Sequence, residues 1–346
     1  MSESNNPLGI DGIACVEFSA PTREGLDELG RLFKALGLSR TRRHAEQAVE
    51  YYRQHEICFL VNREPGSFAA HFAAEHGSSI SAMGWWVENA EVAVEEAVRR
   101  GARRYTGPSS FGDAPAIYGI GDSLIFFLDK LSGKSWERWY LDLEAPELVP
   151  ERGFFLIDHL TNNVPQGTME RWRAFYRDVF GFTDVRTFDI RGEQTGLTSY
   201  ALRSPCGKFC IPINEGSEEK SQIEEYLREY KGAGIQHLAL LSGDLLRSLG
   251  GLADAGVETL DIDPEYYDSV FQRVPNVRED HTRIRDLEVL VDGDEAGYLL
   301  QIFTKNVIGP IFFEMIQRNN HLSFGEGNFG ALFRSIERDQ ERRGVL

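Results

Sequence analysis

Two histidines and one glutamate have the types and the spacing to do chemistry together. His159 stands in Leu156-Ile157-Asp158-His159-Leu160, His237 in Gly234-Ile235-Gln236-His237-Leu238-Ala239-Leu240, and Glu314 in Ile311-Phe312-Phe313-Glu314-Met315-Ile316. Each stretch reads as a β-strand with alternating side chains. Each histidine is therefore expected to share an apolar face with the isoleucine two residues before it, and Glu314 a face with Phe312 and Ile316. A carboxylate buried there needs a cation or a proton. Two imidazoles and one carboxylate make up the 2-His-1-carboxylate set that grips iron(II) on one side and leaves the other positions for a substrate and dioxygen. Taken singly, each is a weak signal, since a lone histidine on an apolar face is more often a core group hydrogen-bonded to backbone. Taken together they are 78 and 77 residues apart, which no single helix or hairpin spans, so a particular fold must bring them to one place.

A repeat supplies that fold. A strand at Gly12–Ser19, an amphipathic helix at Glu24–Leu36 stopped by Gly37, and strands near 50–54 and 57–62 form a first unit. A second opens at Ile80–Val87, continues in a helix at Ala90–Arg100 with Val92, Val94 and Ala97 on its buried side, and closes with strands near 116–120 and 124–129. Residues Lys130–Gly153, with Pro146 and Pro150, read as the connection between halves. The third unit opens with the His159 strand, followed by a helix at Thr168–Phe180 and three strands. The fourth opens with the His237 strand, followed by a helix at Asp244–Ala255 and strands at Tyr298–Thr304 and Ile311–Gln317. The charged segment Tyr266–Gly297 reads as an insertion in that fourth unit, and Phe329–Arg342 as a closing amphipathic helix.

The expected fold is α+β, with two domains of paired βαβββ modules curled into half-open barrels: residues 1–150 without metal and residues 151–346 with it. The opening strands of the third and fourth units are equivalent, so His159 and His237 fall at matching places. In the first half, Glu17 and Met83 or Gly84 are expected where the histidines would be, giving one metal per chain.

Composition narrows the partners. The chain of 346 residues carries a formal charge of −17, and its Arg clusters are interleaved with acids, which argues against nucleic acid or an anionic membrane. No window approaches ~20 apolar residues, and Met1–Leu8 has no apolar core of the kind a signal peptide needs, so a cytoplasmic protein is expected. Cys15, Cys58, Cys206 and Cys210 are too scattered for a disulfide framework, and Cys206 and Cys210 lack the second pair that zinc would need. Gly325–Gly330 spells GxGxxG but follows no convincing strand, which disfavours a dinucleotide loop.

The motifs IDHLTNNV (Ile157–Val164), TGLTS (Thr195–Ser199), IPINE (Ile211–Glu215), GIQHLAL (Gly234–Leu240), LLQIFT (Leu299–Thr304), FFEMIQR (Phe312–Arg318) and FGEGNFGALFRSIE (Phe324–Glu337), with HFAAEHG (His71–Gly77) in the first half, carry a family resemblance. The chain resembles the vicinal-oxygen-chelate superfamily and, within it, the bacterial 4-hydroxyphenylpyruvate dioxygenases. The resemblance implies a non-haem Fe(II) enzyme, one ion per chain, that turns 4-hydroxyphenylpyruvate and O2 into homogentisate and CO2 in tyrosine degradation, as a homo-oligomer, dimer or tetramer. It further implies that His159, His237 and Glu314 hold the iron. Ser199, Pro212 and Asn214 would stand near the phenol, and Gln222, Gln236 and Gln301 would orient the substrate. Phe303 and Phe329 would sandwich its ring, and Phe312, Phe324, Asn328 and Leu332 would complete the wall, with Phe329–Arg342 as a lid. No catalytic residue beyond the iron ligands and the orienting amides is implied.

Bland readings stand beside these: Phe303, Phe312, Phe329 and Leu332 fit an apolar core, and Gln236 and Gln301 fit side chains that face solvent or satisfy backbone. The nearest rival activity is 4-hydroxymandelate synthase, which uses the same ligands and substrate. An extradiol catechol dioxygenase shares the triad but needs acid-base residues near its substrate, and only His321 offers one. A metal-free binding protein on the same scaffold is the rival of a different class.

Overall fold

The computed structural model describes residues 5–130, 135–192 and 194–345. Parts of the N-terminal lead and of the Lys130–Gly153 connection lie outside them. The first unit runs β1 (Ile10–Ser19), α1 (Arg23–Ala35), β2 (Ser39–His44), β3 (Val49–Gln54) and β4 (Ile57–Asn62), and α2 (Phe68–His76) leads into the second. That unit comprises β5 (Ser79–Val87), α3 (Ala90–Arg99), β6 (Arg104–Tyr105), β7 (Ala116–Tyr118) and β8 (Leu124–Asp129), after which β9 (Tyr140–Glu147) follows. The third holds β10 (Phe154–Val164), α4 (Met169–Phe180), β11 (Thr183–Arg191), β12 (Gly196–Arg203), β13 (Cys210–Gly216) and then α5 (Gln222–Tyr230). The fourth holds β14 (Gly234–Ser242), α6 (Leu245–Ser248), α7 (Tyr267–Arg273), α8 (His281–Asp286), β15 (Leu290–Gly293), β16 (Tyr298–Phe303) and β17 (Phe312–Asn319), and α9 (Phe329–Arg342) ends the chain.

Two curled mixed sheets result. The first has the order β6-β7-β8-β5-β1-β4-β3-β2-β9 and the second β11-β12-β13-β10-β14-β17-β16-β15. In each, the opening strands of the two units pair antiparallel at the centre (β1 with β5, β10 with β14), and each opening strand runs parallel to a closing strand. One core joins the halves. Trp85 of the first sheet packs its ring on Phe180, Phe182 and Phe209 of the second half at centroid distances of 5.0, 5.9 and 5.4 Å. Rings this size contribute most of the apolar area a core removes from water.

Helix ends follow local chemistry. Thr22 caps α1 by accepting from the Gly25 N–H, and α4 stops at Gly181, whose left-handed backbone satisfies the last carbonyls. The expected helix Asp244–Ala255 is cut to Leu245–Ser248, because Gly250 and Gly251 break the ladder into turns. The connection Lys130–Gly153 is not all linker: β9 pairs with β2 at the sheet edge, where Pro146 is tolerated. The segment Tyr266–Gly297 is not all insertion, since β15 is the module's missing strand and pairs with β16. On α3, Val92 is 61% exposed, and Ala90, Ala93, Val94 and Ala97 make the buried face instead.

Strict alternation fails at the two histidines, and the failure matters. Ile157 pairs with Leu240 but His159 with Ala239, so Asp158 is a bulge. Thr161 pairs with His237 but Asn162 with Ile235, so Gln236 is a second bulge. Each histidine therefore faces the opposite side of the sheet from the isoleucine expected beside it: Ile157 and Ile235 point into the core, His159 and His237 away from it. The first sheet repeats both irregularities, with Ile13 opposite Trp85, Cys15 opposite Gly84, Glu17 opposite Ala82 and Phe18 opposite Ile80. Gly84 also pairs with Phe126, as Ala239 pairs with Glu314. The counterparts of His159, His237 and Glu314 are thus Cys15, Ala82 and Phe126. Glu17, expected at a histidine position, matches Thr161 instead.

Candidate metal centre and cavity

Three neighbouring strands, β10, β14 and β17, deliver the three side chains to one point. His159 Nε2 lies 3.0 Å and His237 Nε2 3.5 Å from Glu314 Oε2, and the ligand atoms of all three fall within 4.8 Å of one another. Donors about 2.1 Å from one ion and at right angles to each other lie about 3.0 Å apart, so the set has the spacing of one face of a coordination polyhedron. All three residues are buried.

The bulged residues set the imidazoles. His159 Nδ1 lies 2.8 Å from Asp158 Oδ2, and His237 Nδ1 lies 3.1 Å from Gln236 Oε1. Both acceptors call for a proton on Nδ1, which leaves each Nε2 lone pair aimed at the common point. The three groups are also strongly coupled by charge. Burial works to raise Glu314, yet the facing His159 and His237 hold it down to about 2. Burial works to lower His159, but Glu314 and Asp158 carry it up to about 9, while burial keeps His237 below the ordinary histidine value. A divalent cation would displace the proton that Glu314 and Asp158 hold on His159, leaving an anionic carboxylate and two imidazoles as its donors.

Above the triad opens a cleft whose space, about 660 Å³, includes the solvent at its open mouth. Ser199, Pro212, Asn214, Gln222, Gln236, Gln301, Phe303, Phe312, Phe324, Phe329 and Leu332 all line it. Ser199 and Asn214 face each other across β12 and β13, and Phe312 stacks on His237 with ring centroids 4.8 Å apart. Asn328 does not reach the cavity. It stands fully buried behind it, donating to Gln301 Oε1 at 3.4 Å and accepting from the Tyr266 hydroxyl at 2.6 Å. Tyr200 points away, with the Arg173 guanidinium 4.9 Å over its ring.

The cavity also takes Thr161, Phe188, Ile190, Leu197, Phe333 and Ile336, which sequence reasoning missed. Strand spacing could have found some of them. Thr161 lies two residues from His159, Leu197 two from Ser199, and Phe333 and Ile336 fall four and seven residues after Phe329 on one helix face. Phe188 is recognisable only from its register opposite Ser199.

Helix α9 covers the cleft and is tied down at both sides. Ser335 donates to the Asp261 carbonyl at 2.7 Å, Arg338 pairs with Asp263 at 2.8 Å, Gln340 donates to Glu225, and Glu337 accepts from Thr195. A wider polar cleft beyond α9, lined by Arg273, Arg338 and Asp263, holds none of the triad; there Arg338 pairs with Asp263, and Arg273 with Asp292. His321 lies outside the cavity, 2.7 Å from the Ser323 hydroxyl.

The curled βαβββ sheets and the triad on their inner strands define the class, and comparison with other proteins agrees. Residues 4–144 match the family described as hydroxyphenylpyruvate dioxygenase, N-terminal, and residues 156–300 the glyoxalase/bleomycin resistance protein/dioxygenase superfamily. The protein MelA of Shewanella colwelliana is 54% identical over 100% of both chains. The 4-hydroxyphenylpyruvate dioxygenase of Pseudomonas aeruginosa is 43% identical over 99% of this chain and 98% of its own. The solved structure of a mutant of 4-hydroxymandelate synthase from Streptomyces coelicolor superimposes with a TM-score of 0.83 at 25% identity, covering 96% of this chain and 100% of that one. The chain belongs to the 4-hydroxyphenylpyruvate dioxygenase family. Among the described residues no helix is long and apolar enough to cross a membrane.

Proposed function

We infer that this chain is a 4-hydroxyphenylpyruvate dioxygenase, converting 4-hydroxyphenylpyruvate and O2 to homogentisate and CO2, with Fe(II) as the metal. The carrying observation is the convergence of His159, His237 and Glu314 at the floor of an aromatic cleft, in a chain that matches 4-hydroxyphenylpyruvate dioxygenases end to end. Ferrous iron held there supplies the redox chemistry with dioxygen that the side chains lack.

The protein's own part is positioning. His159, His237 and Glu314 would hold the ion at the cavity floor, with the cleft above them left for the 2-oxo acid. Gln222, Gln236 and Gln301 orient that acid, Phe303 and Phe329 stack on its ring, and Ser199 and Asn214 meet its phenol. Pro212, Phe312, Phe324 and Leu332 shape the wall, while Asn328 holds Gln301 from behind. Helix α9 excludes water from the reacting centre. In this reading residues 1–150 are a metal-free domain, residues 151–346 the catalytic one, and the protein works in the cytoplasm as a dimer or tetramer, without nucleic acid or membrane.

Anaerobic reconstitution with iron(II), followed by oxygen uptake and product identification by NMR, tests the reading. Homogentisate is expected; 4-hydroxymandelate would overturn the assignment. His159→Ala, His237→Ala and Glu314→Ala should each lose iron and turnover.

A further inference from the structure

Arg318 and Asp158 form a part-buried ion pair beside His159, and none of the roles above uses Arg318. Its side chain is 12% exposed and Asp158's 14%. Nε donates to Asp158 Oδ1 and Nη2 to Oδ2, both at 2.8 Å, so the guanidinium grips both oxygens. Oδ2 is the oxygen that also faces His159 Nδ1. The remaining nitrogen, Nη1, donates to the carbonyls of His321 at 3.1 Å and Ser323 at 2.6 Å. Ser323 immediately precedes Phe324, whose ring lies 5.5 Å from that of His159 and forms part of the cavity wall. Gly325 follows, packed against Gln301, and four residues later α9 begins. One guanidinium thus holds the carboxylate that sets a histidine's tautomer and, with its other arm, the turn from which the lid starts.

A buried ion pair contributes little net stability for its desolvation cost, and an apolar pair of similar volume would often serve as well. Lysine could supply the charge but not the planar fork that spans a carboxylate and two carbonyls together. We propose that Arg318 is a positioning residue that couples the metal centre to the lid: an ion on His159 and an ordered turn at residues 319–325 stabilise each other through the Asp158–Arg318 link. The coupling is reciprocal, so whatever orders the turn tightens the metal, and the metal orders the turn. The proposal rests on His159 being a metal ligand.

Cobalt(II) alone is the probe, so no turnover is needed. Its binding is followed by visible absorption, and amide exchange over residues 319–329 is compared with and without it. In the wild type cobalt(II) should slow exchange there. Arg318→Lys should bind cobalt(II) roughly 10-fold or more weakly, in the range that lost outer-shell partners cause, and should lose the metal-dependent slowing. Asp158→Asn cuts the same link from the other end, and it carries the test if Arg318→Lys does not fold. It should lose the slowing while its metal-free exchange stays at the wild-type level, since Arg318 keeps its carbonyl contacts. A purely structural Arg318 would raise exchange with and without metal and leave affinity unchanged. Wild-type cobalt(II) affinity in a folded variant, or undiminished slowing, overturns the coupling. Failure of the wild type itself to bind cobalt(II) overturns the metal centre and this link with it.

Discussion

Gln301 occupies the space that a side chain on Gly325 would need: a Cβ built there would collide with Gln301 Oε1. Gly325 also adopts φ +79°, a conformation that costs an L-residue about 1 kcal/mol. The bare backbone therefore lets the lid turn close onto the amide.

Gly325→Ala should displace either the turn or Gln301. The expected outcome is a fall of about 10-fold or more in kcat/KM, equivalent to about 1.4 kcal/mol at the transition state. The thermal midpoint should change by no more than a few degrees, because the cores on both sheets are untouched. Unchanged steady-state kinetics would show that the turn and Gln301 do not have to meet.

Metal removal should destabilise the second half. A cation that binds only the folded chain at 100 times its dissociation constant adds about 2.7 kcal/mol. Chelation should accordingly lower the melting temperature by several degrees, and iron(II) or cobalt(II) added back should restore it. Glu314→Ala should show neither response. An equal chelator effect on wild type and variant would place the stabilising ion elsewhere.

Asn214 lies in register with Ser199 on the cleft wall and donates to Asn163 Oδ1 at 3.2 Å. If it recognises the phenol, Asn214→Ala should raise KM for 4-hydroxyphenylpyruvate about 10-fold, as expected for one lost hydrogen bond in a buried site. Phenylpyruvate, which lacks the hydroxyl, should be handled about equally by wild type and variant. Equal losses on both substrates would mean that Asn214 only shapes the cavity.

Glu17 is buried in the first half, where it accepts from Asn62 at 3.0 Å, Ser81 at 2.8 Å and the Ser110 hydroxyl. Burial raises its pKa above the ordinary value of 4.5, against the pull of those donors. Its folded form thus keeps a proton that the unfolded chain releases, so stability falls as pH rises from about 4.5 through the folded value and then levels off. Glu17→Gln, close in shape to the protonated acid, should lack that slope. Thermal unfolding should show its advantage over wild type growing from pH 4 toward neutrality; a constant difference would contradict the assignment.

Much of this centre was legible in the chain because its signals are local. A histidine among aliphatic residues, a glutamate in a strand, and glycines that stop helices all show in one dimension, and the repeat says which of them are equivalent. What escaped detection depends on pairing. The bulges at Asp158 and Gln236 shift faces without any change in composition, so Ile157 and Ile235 were assigned to the wrong side. The same slip misplaced Glu17 against the histidines. Strand β9 lacks apolar alternation because it lies on an exposed edge, and Val92 looks like core until neighbouring alanines fill the contact. Asn328 belongs to the right motif but hydrogen-bonds Gln301 from the rear, a distinction only three dimensions make.

The three ligands sit on adjacent strands, and no loop contributes one. Connections between those strands can therefore lengthen, shorten or change composition without displacing a donor atom. The stretch between α6 and β15 shows such freedom already, since it carries two extra helices while His237 and Glu314 stay in register with their neighbours. Variation in the loops can retune which molecules enter, while the anchor beneath them stays where the sheet put it.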